Sequence, residues 1–491
     1  NLGNALKDLG RPEEAEASYR QAISLKPELV EAHLNLGTAL KDLGRLEEAE
    51  ASYRQAISLK PEYADAHSNL LFLRSHMPTI GAEQLYEEHC EFGRKFEEPV
   101  RSSWPLHTNA KELTRTLRIG FVSGDLRHHA VASFIEPILR HLSTREELSL
   151  HAYYNYHSVD LVSKRLQGYF ASWSRVISLS DADLAEKICA DGIDILIDLS
   201  GHTAYNRLPV FARKPAPLQA SWMGYPGTTG LESMDYYFCD KRWLPQDQFV
   251  SQFTEKLLYL PASAAFLPEK EAPAVSALPA LGNGYVTFGS FNRSDKINQV
   301  TVQVWSRVMR AVPKSRMVLG GVTSDESKQR ITDWFAQEGV AADSLTMYPR
   351  MGLGEYLALH SDVDICLDAF PYGGGTTIFH ALWMGVPTVT LAGGTPPSRG
   401  GVTILGSCGL DEFVSRDVDS FVQTGVLMAT DVDGLSTIRA GMRARVSASP
   451  AWRSELIAQG FELGLRMMWQ RWCAGLPAQS LDVDGSYNVV C

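Results

Sequence analysis

Cys366-Leu-Asp-Ala-Phe-Pro-Tyr-Gly-Gly-Gly-Thr-Thr-Ile-Phe-His-Ala-Leu-Trp-Met-Gly-Val-Pro387 is the stretch whose reading decides the fold. An apolar run ending at Asp368 predicts a buried strand, Gly373 to Gly375 allow a tight turn, and Thr376 opens a helical segment that stops at Gly385 and Pro387. That order can build an anion site. The first amides of a helix have no intrahelical acceptor and lie at the positive end of its dipole, so a loop without Cβ atoms lets a diphosphate approach them. Gly374 and Gly375 are candidates for the close approach, and Thr376 and Thr377 add hydroxyl donors. The same spacing also suits a plain tight turn, and it is not the GxxxxGK[ST] of a P-loop. The rest of the chain has to decide.

Working outward, the stretch closes a series of short strands separated by helical segments: Tyr285 to Phe288, Met317 to Leu319, Leu345 to Met347, Asp364 to Leu367 and Thr388 to Leu391. A second series precedes it, at Leu117 to Ser123, Leu150 to Asn155, Ile193 to Asp198 and Leu218 to Trp222. Strands alternating with helices at this spacing predict parallel sheets covered by helices. Between the two series, residues 266–284 are rich in Pro and Ala without periodicity, which predicts a linker. Two such lobes are expected to enclose a cleft, with ligands at the carboxyl ends of the strands.

The N-terminal stretch is different in kind. Residues 1–34 and 35–68 are near copies with the 34-residue tetratricopeptide period, placing Leu2, Ala5, Leu6 and Leu9 on one helix face and Ala15, Tyr19 and Ala22 on the next. Two repeats bury little surface alone, so further repeats or packing on the next domain is expected. Asn1, Asn35 and Asn69 recur at one helical position, where they either bind the backbone of an extended peptide or cap and pack the repeats. The expected organisation is repeats over 1–76, a helical connector over 77–115, a first α/β lobe over 116–265, the linker, a second lobe over 285–450, and a terminal amphipathic helix and tail over 451–491.

Composition narrows the function classes. The 491 residues carry a net charge of −11, so no basic surplus exists to hold nucleic acid or a membrane surface. Cys90, Cys189, Cys239, Cys366, Cys408, Cys473 and Cys491 form no CxxC pair, which points to a reducing, cytoplasmic compartment and no structural zinc. No run reaches 18 apolar residues. The chain begins at Asn1 inside a repeat, which reads as a fragment or a processed chain, so the lack of a visible targeting segment carries little weight.

GHTxxNR at Gly201 to Arg207, FNRxxK at Phe291 to Lys296, and DxFPYGGGTT at Asp368 to Thr377 followed by Met384-Gly-Val-Pro387, together with the repeats, closely resemble the O-GlcNAc transferase/SPINDLY family of GT-B glycosyltransferases. The resemblance covers essentially the whole chain. It implies two Rossmann-like lobes behind a tetratricopeptide solenoid, and transfer of N-acetylglucosamine from UDP-GlcNAc to Ser or Thr of proteins with inversion, without a metal or other cofactor. The repeats would present protein or peptide acceptors.

Lys296 matches the family lysine on the diphosphate, where a fixed positive group lowers the barrier to departure. With the Gly373 to Thr377 turn it would stand in for the divalent ion that other glycosyltransferases hold with DxD. The chain has Asp-Val-Asp at 362–364, 417–419, 431–433 and 482–484, read as caps or solvated loops. His129 matches a histidine considered as general base, with His128 beside it as a possible misassignment. His202 would bind sugar or phosphate or act as the base instead, and Arg207 would bind phosphate or pair with a carboxylate. Gln219 and Tyr225 to Thr229 match a stretch beside the first-lobe site; Arg350 and Met351 lie where the family's main chain meets the base; Ser398 to Gly401 opens a helix beside the phosphates or only caps one.

There are departures. His380 stands where a carboxylate often binds the ribose hydroxyls, Arg293 where a Gln is common, and Tyr356 where several members have His. These leave the base and sugar open, because the DLSGHT and FPYGGGTT wording is closer to the SPINDLY branch, some of whose members use GDP-fucose. A repeat scaffold with little turnover is the third reading.

Overall fold

The computed structural model describes residues 2–269 and 271–483. They divide into two compact units, and each unit is discontinuous in sequence. Among the described residues, one combines 2–66, 73–80 and 268–449; the other combines 67–72, 81–267 and 450–483.

In the first unit the repeats form helices α1 (Leu2–Asp8), α2 (Pro12–Leu25), α3 (Val30–Asp42) and α4 (Leu46–Leu59); the next helix, α5 (Ala64–Arg74), has its residues 67–72 counted with the other unit. The small residue in each repeat's first helix is explained by the aromatic in its second. A Cβ on Gly37 would come within 2.6 Å of the Tyr53 ring, and one on Gly3 within 2.5 Å of Tyr19. The tyrosine hydroxyls then donate back across the pair, Tyr19 to Asn4 Oδ1 at 2.6 Å and Tyr53 to Thr38 Oγ1 at 3.2 Å. Leu36, Leu40 and Leu43 are buried between α2 and α4, whereas Leu2 and Leu9, on the equivalent face of α1, are exposed.

The sheet of this unit has six parallel strands: β8 (Thr287–Ser290), β9 (Arg316–Gly320), β10 (Leu345–Tyr348), β11 (Ile365–Leu367), β12 (Thr388–Leu391) and β13 (Val414–Ser415). Their order is β10-β9-β8-β11-β12-β13. Counted from β8 this is 3-2-1-4-5-6, the doubly wound arrangement whose strand order reverses between the first and fourth strands. Gly289 on β8 is needed for close packing, since a Cβ there would sit 2.7 Å from Val363.

The other unit repeats the plan. Strands β1 (Leu117–Ser123), β2 (Leu148–Tyr154), β3 (Ser172–Arg175), β4 (Ile195–Asp198), β5 (Leu218–Ser221), β6 (Tyr236–Cys239) and β7 (Lys256–Tyr259) are all parallel, again running 3-2-1-4-5-6-7. A short strand β14 (Leu481–Asp482) extends the sheet beyond β7. The terminal helix Ser454–Cys473 belongs to this unit rather than to the sheet it follows in sequence. Phe461 on it stacks on Trp222 at 4.5 Å, and Arg466 donates to the carbonyls of Arg115 and Glu147. Those contacts hold the helix against β1 and β5 by burying aromatic area, which is the dominant stabilising term.

The connector helix α6 (Ala82–Arg101) is seated in the same unit by a backbone-to-backbone approach. A Cβ on Gly93 would come within 1.8 Å of the Gly230 carbonyl, and one on Gly230 within 1.9 Å of the His89 carbonyl. Neither neighbour is a flexible side chain, so the chain itself would have to move. Gly93→Ala is therefore expected to lower stability by about 3 kcal/mol or more, read from the urea midpoint; a midpoint equal to that of the parent protein would contradict this packing.

Among the described residues no helix is long and apolar enough to cross a membrane.

Candidate functional site

Both sheets place chemistry at their reversal points, each within its own unit. In the second lobe, the loop after β8 carries Phe291 to Lys296 and the loop after β11 carries Asp368 to Gly375. A buried carboxylate joins the two loops. Asp368 accepts hydrogen bonds from the Gly374 amide at 2.7 Å, the Ala369 amide at 2.9 Å, Thr390 Oγ1 at 2.7 Å and Asn292 Nδ2 at 3.3 Å. Burial pushes its carboxyl pKa up, against the pull of these donors and of Lys296. The glycine turn is thus shaped around Asp368: a Cβ on Gly373 or Gly374 would lie 3.1 Å from its carboxylate oxygens, while Gly375 faces open space.

Gly375 precedes the helix Thr376–Trp383 with no side chain capping it. Its leading amides, beside the partly exposed Thr376 and Thr377, are therefore available to an outside acceptor. Thr377 Oγ1 is tied to Asn292 Oδ1 at 3.3 Å. Lys296 enters from the other loop: its ammonium donates to the Gly373 carbonyl at 2.8 Å and lies 4.5 Å from the centre of the Tyr372 ring. Burial first, then the Arg293 guanidinium, pushes its pKa down to about 8, with Asp295 and Asp368 opposing. A half-desolvated ammonium beside exposed amides is an arrangement that a diphosphate would complete.

Other second-lobe candidates gather nearby to different degrees. His380, on the second turn of that helix, meets the Tyr356 hydroxyl at 3.3 Å, and burial lowers its pKa to about 4, so it is neutral at pH 7. Arg293 is exposed and pairs with Asp295 at 3.3 Å. Arg350 and Met351 follow β10, with Arg350 exposed and Met351 half-buried. Ser398 and Thr395 form a reciprocal cap on the turn Pro396–Arg399, and the Gly400 that follows lies against the glycine loop, a Cβ there coming within 2.7 Å of the Gly374 carbonyl.

In the first lobe, the loop after β1 leads to Asp125 and His129, and the loop after β4 leads to His202. His129 caps helix α7 (Ala130–Leu142) and remains exposed at its ring, with Nδ1 3.3 Å from the Val131 amide and 3.6 Å from Asp125 Oδ1. With Nδ1 accepting from the Val131 amide, the neutral ring carries its proton at Nε2; Nε2 becomes an acceptor only when Nδ1–H turns to Asp125 instead. Burial raises the Asp125 pKa to about 6. His128 is exposed, its amide donating to Asp160 Oδ2 at 2.7 Å.

Two first-lobe expectations need correction, and a third takes one of its two alternatives. His202 is fully enclosed: Nδ1 meets Ser68 Oγ at 3.1 Å and Nε2 meets the Thr229 carbonyl at 3.0 Å, so both nitrogens are committed and burial holds the ring neutral. It packs edge-on to His89 and Tyr225, which share a 2.9 Å hydrogen bond. Arg207 takes the second of its two expected roles, pairing with the Asp181 carboxylate at 2.9 Å, and also reaches the Leu179 and Val176 carbonyls and Asn155 Oδ1. Gln219 is buried in β5 with its amide donating to the Phe211 and Ser233 carbonyls. Thr228 and Thr229 likewise serve the buried Glu255.

Asn1 and the second aspartate of 482–484 lie outside the described residues. Asn35 and Asn69 are both half-buried, but they fall in different units. The repeats do carry a concavity of about 450 Å³, walled by residues including Arg20, His33, Leu36, Ser52 and Gln55, and Asn35 is not one of its walls. Of the Asp-Val-Asp stretches, Asp364 accepts the Ala280 and Thr287 amides, Asp417 and Asp431 cap helices, and Asp482 pairs with Lys241. No group of three or more possible metal ligands occurs among the described residues.

The family model for glycosyl transferase family 41 matches residues 96–272 and 274–460, and a tetratricopeptide model matches 1–66. This chain belongs to glycosyl transferase family 41. Its relatives include the probable UDP-N-acetylglucosamine–peptide N-acetylglucosaminyltransferase SPINDLY of Arabidopsis thaliana, 36% identical over 406 residues that cover 80% of this chain and 44% of that protein. The Caenorhabditis elegans UDP-N-acetylglucosamine–peptide N-acetylglucosaminyltransferase is 23% identical over 479 residues, covering 74% of this chain and 41% of that one. The chain thus spans less than half the length of these relatives. Among solved structures, a Thermobaculum terrenum O-GlcNAc transferase variant superposes with a TM-score of 0.89 at 31% identity, covering 96% of this chain and 90% of that one. The family-41 fold is GT-B: two Rossmann-like lobes preceded by helical repeats. What sequence reasoning missed in the site is Asp368 as its organising carboxylate; an acid at a strand's carboxyl end just before a glycine turn was the available signal.

Proposed function

We propose that this family-41 chain moves N-acetylglucosamine from UDP-GlcNAc to Ser or Thr hydroxyls of proteins, with inversion and without a bound metal. The observation that carries the reading is the meeting of Lys296 with the Gly373–Thr377 turn at the reversal point of the second sheet. The names of the relatives support the donor and acceptor classes. In the proposed reaction the acceptor oxygen attacks the anomeric carbon from the face opposite the diphosphate. The new carbon–oxygen bond forms as the bond to the β-phosphate oxygen breaks. Lys296 and the amides at Thr376 and Thr377 take up the charge that develops on the leaving group. Of the first-lobe histidines, His129 with its exposed ring suits proton acceptance better than the enclosed His202.

A second reading keeps this machinery and exchanges the donor for GDP-fucose. The neutral His380 hydrogen-bonded to Tyr356, where a carboxylate would suit ribose hydroxyls, favours it.

Titration calorimetry with UDP and GDP tests both. UDP is expected to bind at one site, at least about tenfold more tightly than GDP, a difference of about 1.4 kcal/mol. Tighter GDP binding would move the conclusion to the second reading, and absence of UDP binding would end the first. The pH dependence has a definite sign. The free Lys296 ammonium loses its proton near pH 8, and a bound diphosphate favours the charged form. Affinity is therefore level below pH 8 and falls above it, by up to about tenfold per pH unit, with proton uptake on binding visible as a buffer-dependent enthalpy. Affinity unchanged from pH 7 to pH 10 would contradict the role of the ammonium.

A further inference from the structure

Lys296 does not hold its position unaided. The residue before it, Asp295, is buried, with 2% of its side chain exposed, and its Oδ2 pairs at 3.1 Å with Lys41, which comes from helix α3 of the repeats and is itself 9% exposed. Asp295 also pairs at 3.3 Å with Arg293, whose side chain is exposed. Lys41 therefore supplies the one buried countercharge among these pairs. Burial works against the Lys41 ammonium, yet Asp42 and Asp295 outweigh it and hold the pKa above the ordinary lysine value. Burial likewise opposes the Asp295 charge, and Arg293, Lys41, His76 and Lys296 together hold that carboxyl far below its ordinary value.

The turn after α3 is built onto the same loop. Ser294 Oγ donates to the Asp42 carbonyl at 3.1 Å, Ser327 Oγ to the Leu43 carbonyl at 3.2 Å, and Arg330 to that same carbonyl. Gly44 sits at φ +74°, where a Cβ would come within 3.2 Å of the Ser294 carbonyl. A second anchor meets the other loop: the His76 ring, after α5, stacks on Tyr372 with centroids 4.1 Å apart and planes 13° from parallel. Tyr372 is the ring over which the Lys296 ammonium lies. Both loops of the candidate cradle therefore rest on the repeats.

We propose that Lys41 is a positioning residue for Lys296: by satisfying Asp295 it keeps that carboxylate from competing for the neighbouring ammonium, so that Lys296 stays directed at Gly373 and the donor diphosphate. This rests on the donor-site reading above. The physical warrant is asymmetry. A buried carboxylate that loses its partner must find another cation or take up a proton, and the cation one residue away in sequence is Lys296. The repeats then act as part of the donor site's framework, and their role is not confined to presenting acceptors.

The test is UDP affinity by calorimetry on the full chain. Lys41→Met is expected to weaken UDP binding about tenfold, Lys41→Arg to restore it to within about threefold, and Lys41→Met combined with Asp295→Asn to do the same by removing the stranded charge. In a Lys296→Met background, Lys41→Met should change affinity less than twofold, because its effect passes through that ammonium. A repeat-docking role alone would make the two substitutions additive and the Asp295→Asn combination no better, and either result would overturn the proposal. Where Lys41→Met does not fold, Lys41→Gln, which removes the countercharge to Asp295 while keeping a polar side chain there, replaces it; unchanged affinity in Lys41→Gln overturns the proposal equally. Lys41→Met without effect, in a protein where Lys296→Met weakens binding, sinks this inference alone. Lys296→Met without effect sinks the donor-site reading.

Discussion

Replacing Lys296 by methionine is expected to slow glycosyl transfer by about 10²–10³-fold, the loss seen when one preorganised electrostatic donor is removed from a reacting centre. The methionine keeps most of the aliphatic stem that packs near Tyr372 and deletes the ammonium at 2.8 Å from the Gly373 carbonyl. Stability should change little. The lysine gives up hydration in the free protein, as its pKa near 8 records, so removing the charge relieves a cost even as it loses a hydrogen bond. The measurement is a single-turnover transfer rate to an acceptor peptide alongside a thermal melt. A rate within twofold of the parent protein would leave the repeat-scaffold reading as the better account.

The second large effect is expected at Asp368. Asp368→Ala strands the Gly374 and Ala369 amides, Thr390 Oγ1 and Asn292 Nδ2 in a buried setting, since all four donate to this one carboxylate. Each unsatisfied donor costs about 1–3 kcal/mol, partly relieved by water or rearrangement, so a loss of about 3 kcal/mol in unfolding free energy is expected. UDP binding should fall by at least about 100-fold, because the glycine turn no longer has the acceptor that shapes it. Asp368→Asn, which keeps an acceptor oxygen, should recover part of both. A denaturation midpoint and a UDP isotherm in Asp368→Ala that match the parent protein would contradict this carboxylate's role.

The lobes were legible because their central strands are near-continuous apolar runs: Leu117 to Ser123 and Thr388 to Leu391 coincide with β1 and β12. Edge and late strands were not. Ser172–Arg175 is only half covered and reads as polar, and Leu481–Asp482 is two residues long, so neither carries a periodic signal. At the C-terminus the element was legible but its docking was not. The amphipathic pattern over 451–475 predicted the helix but not that Phe461 and Trp469 return it to the first sheet, which no local pattern encodes.

In the site, loops carrying charge next to glycine were legible, because the chemistry is local: Lys296 and Gly373 to Thr377 are read from contiguous residues. His202 and Gln219 were overvalued for the opposite reason. Each lies in or just after a strand of the first sheet, where it could face outward or inward, and only three dimensions show Ser68 and Phe211 turning them to structural use. Lys41 could not have been singled out at all, since its partner Asp295 is 254 residues away in the chain.

Both lobes use one device twice. A short parallel strand ends at the reversal of strand order, a buried carboxylate follows, and a loop bearing a titratable side chain is set by it: Asp125 with His129 in one lobe, Asp368 with Lys296 in the other. The most direct test of the central claim is a crystal structure of the full chain soaked with UDP-GlcNAc or its non-hydrolysable phosphonate. The account predicts the β-phosphate oxygens within about 3 Å of Lys296 Nζ and of the Thr376 and Thr377 amides, a normal hydrogen-bond reach. A diphosphate bound elsewhere, with Lys296 still donating only to the Gly373 carbonyl, would contradict it.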